Sequence, residues 1–241
     1  MGKTAIIIPA RYASSRLEGK PLIEVNSKPI IQWVWERAKS VKSADSVIIA
    51  TDDQRIFDCA KSFGGDVEMT STEHKCGSDR ICEVASRHED FDIIVNLQGD
   101  EPMINPECVE TVIQLLKNDS AADISTLVTQ AEADEIDNPN NVKCVFDKNG
   151  YALYFSRSKI PFERNQNIAK FYKHIGIYGY RRKALFDMSK LPQADIERAE
   201  SLEQLRALYY GMKIKTAVVN YKAVGIDTKE DLERFKTLVQ A

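Results

Sequence analysis

Arg11, Arg16 and Lys20, interleaved with Ser14, Ser15 and Gly19, form a cationic loop directly after the apolar run Thr4 to Ile8 and Pro9. Open α/β sheets bind ligands just beyond the carboxyl ends of their strands, and this charge selects an anion. Taken alone, such a loop is more often a solvated turn than a phosphate site. A second stretch, Gln98-Gly99-Asp100-Glu101-Pro102, follows the apolar run Asp92 to Leu97. A carboxylate at a strand end, preceded by a glycine that lets the backbone approach a ligand, is how a nucleotide-binding sheet presents a Mg²⁺ ligand; a turn aspartate is the plainer reading. Asp227, followed by Thr228, Glu230 and Asp231, has the pattern of a helix N-terminus. The Walker pattern fails because Pro21 follows Gly19-Lys20, and no G-x-G-x-x-G occurs.

The elements that must carry these residues can be read from periodicity. Thr4 to Ile8 is β-branched and unbroken, as suits a strand buried on both faces, with Pro9 ending its ladder. Ile30, Ile31, Val34, Trp35 and Ala38 recur at helical spacing and predict a helix over 29–40, with Pro29 in its first turn. Ser46 to Ala50 is a second strand, a helix then runs to Phe63 where Gly64-Gly65 stops it, and Asp66 to Thr70 is a third strand. Ser78 is the expected cap of the next helix, followed by a strand at 92–97, a helix at 106–116 and a strand at 123–129. Such alternation requires a parallel sheet with helices on both faces. After Gln130 the rhythm changes: Val142 to Phe146 and Tyr151 to Ser156 predict a hairpin around Lys148-Asn149-Gly150, and Lys213 to Val219 a further strand. The expectation is an α/β fold with a mostly parallel sheet and an antiparallel hairpin addition, all within a single domain of residues 1–241, with 138–180 as the antiparallel insertion.

A chain of 241 residues buries roughly 70–75% of its unfolded surface and needs no disulfide or metal to hold together. Its net charge of −3 argues against a nucleic-acid surface, so the cations belong to a local site. No apolar run approaches the ~20 residues of a membrane span, and Met-Gly-Lys-Thr has no signal-peptide pattern, so a cytoplasmic chain is expected. Ala5 and Ile6 stand where N-myristoylation wants a Ser or Thr. The five cysteines contain no C-x-x-C pair, which indicates neither a disulfide framework nor a zinc site; most read as small buried residues.

The segment Pro9-Ala10-Arg11-Tyr-Ala-Ser-Ser-Arg16-Leu-Glu-Gly-Lys20-Pro-Leu resembles the signature of the sugar-acid cytidylyltransferases, and above all the 3-deoxy-manno-octulosonate (Kdo) cytidylyltransferase family. Further segments match that family in order. His74-Lys-Cys-Gly77-Ser78-Asp79-Arg80 stands for its His-x-Ser-Gly-Thr-Glu-Arg loop beside the cytosine. Gln98-Gly-Asp-Glu-Pro, Tyr151 to Arg157, His174 to Tyr180, Ser201 to Arg206 and Gly225-Ile-Asp-Thr-Lys-Glu-Asp-Leu follow. The resemblance implies a nucleotide-diphospho-sugar transferase-like fold and a reaction of CTP with a 3-deoxy-octulosonic acid, Kdo or its 8-amino analogue, giving the CMP-sugar and pyrophosphate for lipopolysaccharide synthesis. By the same resemblance Arg11, Lys20 and Asp100 are catalytic, and Asp100 and Asp227 hold Mg²⁺. Ala10, Arg16, Ser78, Arg80 and Gln98 line the nucleotide and sugar-acid sites, Arg157 pairs with the sugar carboxylate, and His174, Tyr178, Glu203 and Gln204 hydrogen-bond its hydroxyls. A homodimer is expected, with the 138–180 insertion as a candidate interface. Glu18, Cys76, Asp79 and Lys229 depart from the family pattern. Two other readings stand beside this one: a nucleotidyltransferase of the same fold that takes a sugar 1-phosphate or a sialic acid, and a non-catalytic sugar-nucleotide sensor.

Overall fold

The computed structural model describes residues 2–13, 17–74, 76–165, 168–222 and 225–240. Arg16, with Ser14 and Ser15, lies outside them. The chain groups into two compact units, Met1–Glu110 with Ala223–Ala241 and Thr111–Lys222.

The first unit runs through β1 (Lys3–Ala10), a short hairpin of β2 (Glu24–Val25) and β3 (Lys28–Pro29), α1 (Ile30–Lys39), β4 (Ser46–Thr51), α2 (Gln54–Ser62), β5 (Asp66–Met69), α3 (Gly77–Ser86) and β6 (Phe91–Asn96), and closes with a C-terminal helix, Lys229–Gln240. Its long strands pair in parallel in the order β6–β1–β4–β5. Ile6, Ile7, Ile8, Ile49 and Ile94 are fully buried, which is why these strands read as continuous apolar runs rather than alternating ones. From β1 the chain winds to one side through β4 and β5, then returns on the other side as β6, so the winding reverses at β1. The crevice at the carboxyl ends of the strands flanking such a reversal is where open α/β sheets take ligands.

Two local expectations are corrected. Pro9 does not end the β1 ladder: Pro9 and Ala10 pair in register with Ala50 and Thr51 of β4. Residues of a strand alternate sides, so Pro9 faces the same way as Ile7, whose carbonyl accepts from Leu97 N–H at 3.2 Å at the end of β6. The donor that proline lacks would therefore point past the last β6 pairing, Ile7 with Asn96, where no ladder bond is lost. Likewise Ser78 is not the cap of α3; the helix starts at Gly77 with Cys76 in the cap position, which leaves Ser78 buried in the first turn.

The second unit holds α4 (Pro106–Asn118) from Thr111 onward, β7 (Ile124–Gln130), α5 (Ala133–Ile136), β8 (Lys143–Phe146), β9 (Ala152–Ser156), β10 (Tyr172–Arg181), α6 (Arg182–Lys190), α7 (Asp195–Glu200), α8 (Gln204–Tyr209) and β11 (Ile214–Val218). The predicted hairpin is β8–β9, turning at Gly150 with φ of 80°. β10 runs antiparallel to β7 and β8, while β11 lies parallel to β7. Between Ile175 and Tyr178 the β10 register on β7 slips, so that Ile175 faces Leu127 and Tyr178 faces Thr126. All five cysteines are free; Cys108 and Cys144 are buried, and Cys59, Cys76 and Cys82 are half-buried. Among the described residues no helix is long and apolar enough to cross a membrane.

Candidate active site

A cavity of about 470 Å³ opens at the winding reversal of the first unit, lined by Pro9, Ala10, Arg11, Ala13, Lys20, Pro21, Gly77, Arg80, Gln98, Gly99, Asp100 and Asp227. Its walls are the end of β1 and the loop after it, the first turn of α3, the residues after β6 and Asp227 of the C-terminal segment. The loop after β1 folds back through a bond from Gly19 N–H to Tyr12 C=O of 2.9 Å, with Gly19 at φ 65°, and this turn delivers Lys20. Gly99 lets the chain after β6 pass against β1, since a Cβ there would stand 2.9 Å from the Pro9 carbonyl oxygen. Asp100 is tied to the C-terminal segment by Ile226 N–H donating to Asp100 C=O at 2.9 Å. Ile226 is itself fully buried in an apolar cluster with Leu17, Val25, Ile30, Leu232 and Phe235. Packing of Ile226 thus fixes the next residue, Asp227. Just beyond, Asp231 and Thr228 cap the C-terminal helix reciprocally, Thr228 N–H donating to the Asp231 carboxylate at 3.0 Å and Asp231 N–H to Thr228 Oγ1 at 3.2 Å.

These supports bring three predicted residues together. Lys20 Nζ donates to Asp100 Oδ2 at 2.9 Å, to Asp227 Oδ1 at 3.3 Å and to the Ile226 carbonyl at 2.7 Å. The lysine side chain is 13% exposed, whereas Asp100 and Asp227 are 32% and 48% exposed, so both carboxylates remain open to the cavity. Gln98 donates to Asn96 Oδ1 at 3.2 Å. Arg80 lines the cavity yet is only 1% exposed: its guanidinium is committed to Asp52 at 2.7 Å and to the Thr70 hydroxyl. Gly77 places the N-terminus of α3 at the cavity wall, which adds partial positive charge there.

The donor set can be tested against Mg²⁺. Two carboxylates reach one point, and among the described residues no group of three or more His, Cys, Asp or Glu side chains could hold a metal. Mg²⁺ is usually held by one or two carboxylates with the remaining positions left to water and substrate phosphates, so Asp100 and Asp227 fit it, whereas a closed protein cage is absent among these residues.

In the second unit another group of predicted residues converges. The slip in β10 brings His174 beside Tyr178, with ring centroids 5.2 Å apart and planes tilted by 40°, and His174 also meets Phe155 edge-on at 5.2 Å. Thr126 Oγ1 donates to the Ile177 carbonyl at 2.7 Å, leaving a lone pair for His174 Nε2 at 2.9 Å, so the imidazole carries its proton on Nε2. Burial holds the His174 pKa down to about 3 and drives that of Tyr178 well up. Gln204 is buried at the start of α8, next to the cap residue Glu203. Arg157 lies on the segment leading to that group: Nε donates to Glu200 C=O at 2.7 Å, and the remaining nitrogens to the carbonyls of Pro139 at 3.1 Å and Ser201 at 3.4 Å.

With the geometry in place, comparison with known proteins decides the family: the cytidylyltransferase family model matches residues 5–214. The chain belongs to the cytidylyltransferase family. It is 51% identical to a protein of Thermodesulfovibrio yellowstonii named 3-deoxy-manno-octulosonate cytidylyltransferase, over 95% of each chain. It is 45% identical to one of Shewanella frigidimarina named 8-amino-3,8-dideoxy-manno-octulosonate cytidylyltransferase, over 96% of each. A solved structure of CMP:2-keto-3-deoxy-manno-octonic acid synthetase in complex with CTP superposes with a TM-score of 0.96 at 46% identity, covering 99% of this chain and 98% of that one.

Sequence reading of this cytidylyltransferase missed three supporting groups. Asp52, partner of the buried Arg80, sits at the carboxyl end of β4, the same edge as the cavity, and its position alone could have flagged it. Thr126, which orients His174, lies in an ordinary strand sequence and carries no such signal. The Ile226 carbonyl at Lys20 is a backbone atom and invisible to any motif.

Proposed function

We propose that this cytidylyltransferase joins CTP to a 3-deoxy-octulosonic acid, releasing pyrophosphate and forming a CMP-sugar for lipopolysaccharide synthesis. The observation that carries the reading is the convergence of Lys20, Asp100 and Asp227 in the cavity at the winding reversal. The acceptor class is supported by relatives at 51% and 45% identity named for 3-deoxy-manno-octulosonate and its 8-amino analogue.

Attack by the C2 hydroxyl of a carboxylated sugar on the α-phosphate of CTP brings two anions together, so positive charge is needed where they meet. Arg11 and Lys20 are the side chains that meet the triphosphate and the charge developing on pyrophosphate, assisted by the N-terminus of α3. Asp100 and Asp227 would hold Mg²⁺, which would supply neutralisation of phosphate oxygens and activation of the attacking hydroxyl. Ala10 and Ser78 line the nucleotide end, and Arg80, anchored by Asp52 and Thr70, keeps that wall rigid. Gln98 faces the sugar acid. His174, Tyr178, Glu203 and Gln204 take the acceptor hydroxyls, and Arg157 fixes the segment that leads to Glu203 through the carbonyls of Glu200 and Ser201. No protein nucleophile is required.

The test is pyrophosphate release from CTP, with and without Mg²⁺, against 3-deoxy-manno-octulosonate, its 8-amino analogue, a sialic acid and a sugar 1-phosphate. Release is expected only with Mg²⁺ and an octulosonate. Turnover confined to the sialic acid or the sugar phosphate would overturn the acceptor reading.

A further inference from the structure

Lys20 stands at the point that Asp100 and Asp227 share, not merely near it. Its ammonium is ringed by Asp100 Oδ2, Asp227 Oδ1 and the Ile226 carbonyl oxygen at 2.9, 3.3 and 2.7 Å, and all three are hard oxygens of the kind that bind Mg²⁺. A lysine ammonium there neutralises one of two facing carboxylates and keeps them converged. It also excludes a second cation, because a divalent ion placed on the same oxygens would stand within a few ångströms of a fixed positive charge in a partly buried site.

We infer that Lys20 is the resident cation of this site and that a divalent cation enters by exchange with it. The exchange rests on the proposed metal role of Asp100 and Asp227. An incoming triphosphate offers the lysine a second anionic partner on the cavity side, where Arg11 and the N-terminus of α3 also lie. As the ammonium moves onto phosphate oxygens, both carboxylates are released to the metal. Metal binding is therefore coupled to nucleotide binding, and the coupling is reciprocal. Without nucleotide the protein binds divalent cations weakly despite having two carboxylates aimed at one point. The arrangement ties assembly of the charged site to the arrival of the substrate, and Lys20 serves both halves of the exchange.

The experiment measures Mn²⁺ binding by the loss of the free-ion electron paramagnetic resonance signal. It uses the whole chain as wild type, Lys20→Met, Lys20→Gln, Asp100→Asn and the double variant Lys20→Met/Asp100→Asn. Without nucleotide, Lys20→Met and Lys20→Gln are expected to bind Mn²⁺ about tenfold or more tightly than wild type, and Asp100→Asn is expected to abolish that gain. For wild type, adding a non-hydrolysable CTP analogue should sequester more Mn²⁺ than protein and analogue do separately, an arm that needs no variant to fold. Equal Mn²⁺ affinity in wild type and both lysine variants, lost on Asp100→Asn, would overturn the exchange while leaving the metal site standing. A gain that persists in the double variant would overturn the assignment of the carboxylates, and the exchange with it.

Discussion

Besides their carboxylate pairs with Lys20, Asp100 and Asp227 are placed by backbone and core contacts, the Ile226 N–H to Asp100 C=O bond and the burial of Ile226, which an amide substitution leaves in place. Asp100→Asn and Asp227→Asn are each expected to lower kcat by on the order of 10²-fold or more while leaving the melting temperature within a few degrees of wild type. A folded Asp100→Asn enzyme with wild-type turnover would remove Asp100 from the reaction. His174 makes a second prediction, in pH. An imidazole ordinarily titrates near 6.5, whereas burial against Phe155 and Tyr178 holds His174 down to about 3. The unfolded chain takes up a proton near pH 6.5 that the folded chain refuses until about pH 3, so this group removes stability as pH falls through that window. The loss should reach about 1–2 kcal/mol by pH 5, allowing for the partial exposure of the residue. Thermal denaturation at pH 7 and pH 5 should show a smaller drop for His174→Gln than for wild type, and equal drops would place the pH sensitivity elsewhere.

At the scale of elements, the ends of β8 and β9 and the turn after α7 are joined by one charged strap. Lys143 is fully buried, and its ammonium donates to the carbonyls of Asn138, Asn141 and Arg157 at 2.9, 2.6 and 2.6 Å. Arg157 in turn spans to Pro139, Glu200 and Ser201, while the Glu200 carboxylate accepts from Ser156 Oγ at 2.6 Å and Arg157 N–H at 2.9 Å. Lys143→Met would leave three carbonyls without their donor and is expected to cost about 3 kcal/mol in stability. Arg157→Ala should raise the acceptor KM about ten- to a hundredfold with the CTP affinity unchanged, because the residues leading to Glu203 and Gln204 lose their anchor. Calorimetry with CTP, acceptor kinetics at saturating CTP and a melting curve together decide the role. A lowered melting temperature with raised acceptor KM supports the strap, an unchanged melting temperature with raised KM supports direct pairing with the sugar carboxylate, and loss of CTP affinity defeats both.

At the scale of the molecule, large apolar side chains stand in water mostly on the second unit. Phe162 is 87% exposed, and Leu153, Ile168, Tyr209, Tyr210 and Val218 are also exposed. Exposed apolar side chains favour association, and the hairpin and the loop after β9 belong to the stretch expected to pair copies of the chain. Sedimentation velocity at micromolar concentration is expected to give a dimer, and Phe162→Ser combined with Leu153→Ser to shift it toward monomer. A monomer for wild type across that range would remove the expectation.

The parallel sheet, its helices and the β8–β9 hairpin were legible from periodicity, because buried strands and amphipathic helices impose their own spacing on apolar residues. The chemistry of the first unit was legible too: cations after the first strand, and Asp100 after a glycine that must pass close to Pro9. Other features are settled only by packing between segments far apart in the chain. Lys20 reads as a loop cation, yet it lies between two carboxylates because buried Ile226 carries Asp227 to it across some two hundred positions, the Lys20-to-Asp227 separation being 207 residues. His174 and Tyr178, four positions apart, would lie well over 10 Å apart along a regular strand. A slip in register against β7, stabilised by the Thr126 hydroxyl, brings their rings to 5.2 Å. Arg157 shows only its charge in the sequence, and the carbonyls of Pro139, Glu200 and Ser201 that surround it are brought to it by the fold. Side-chain type is local information, whereas the partner that satisfies it is chosen by the tertiary fold.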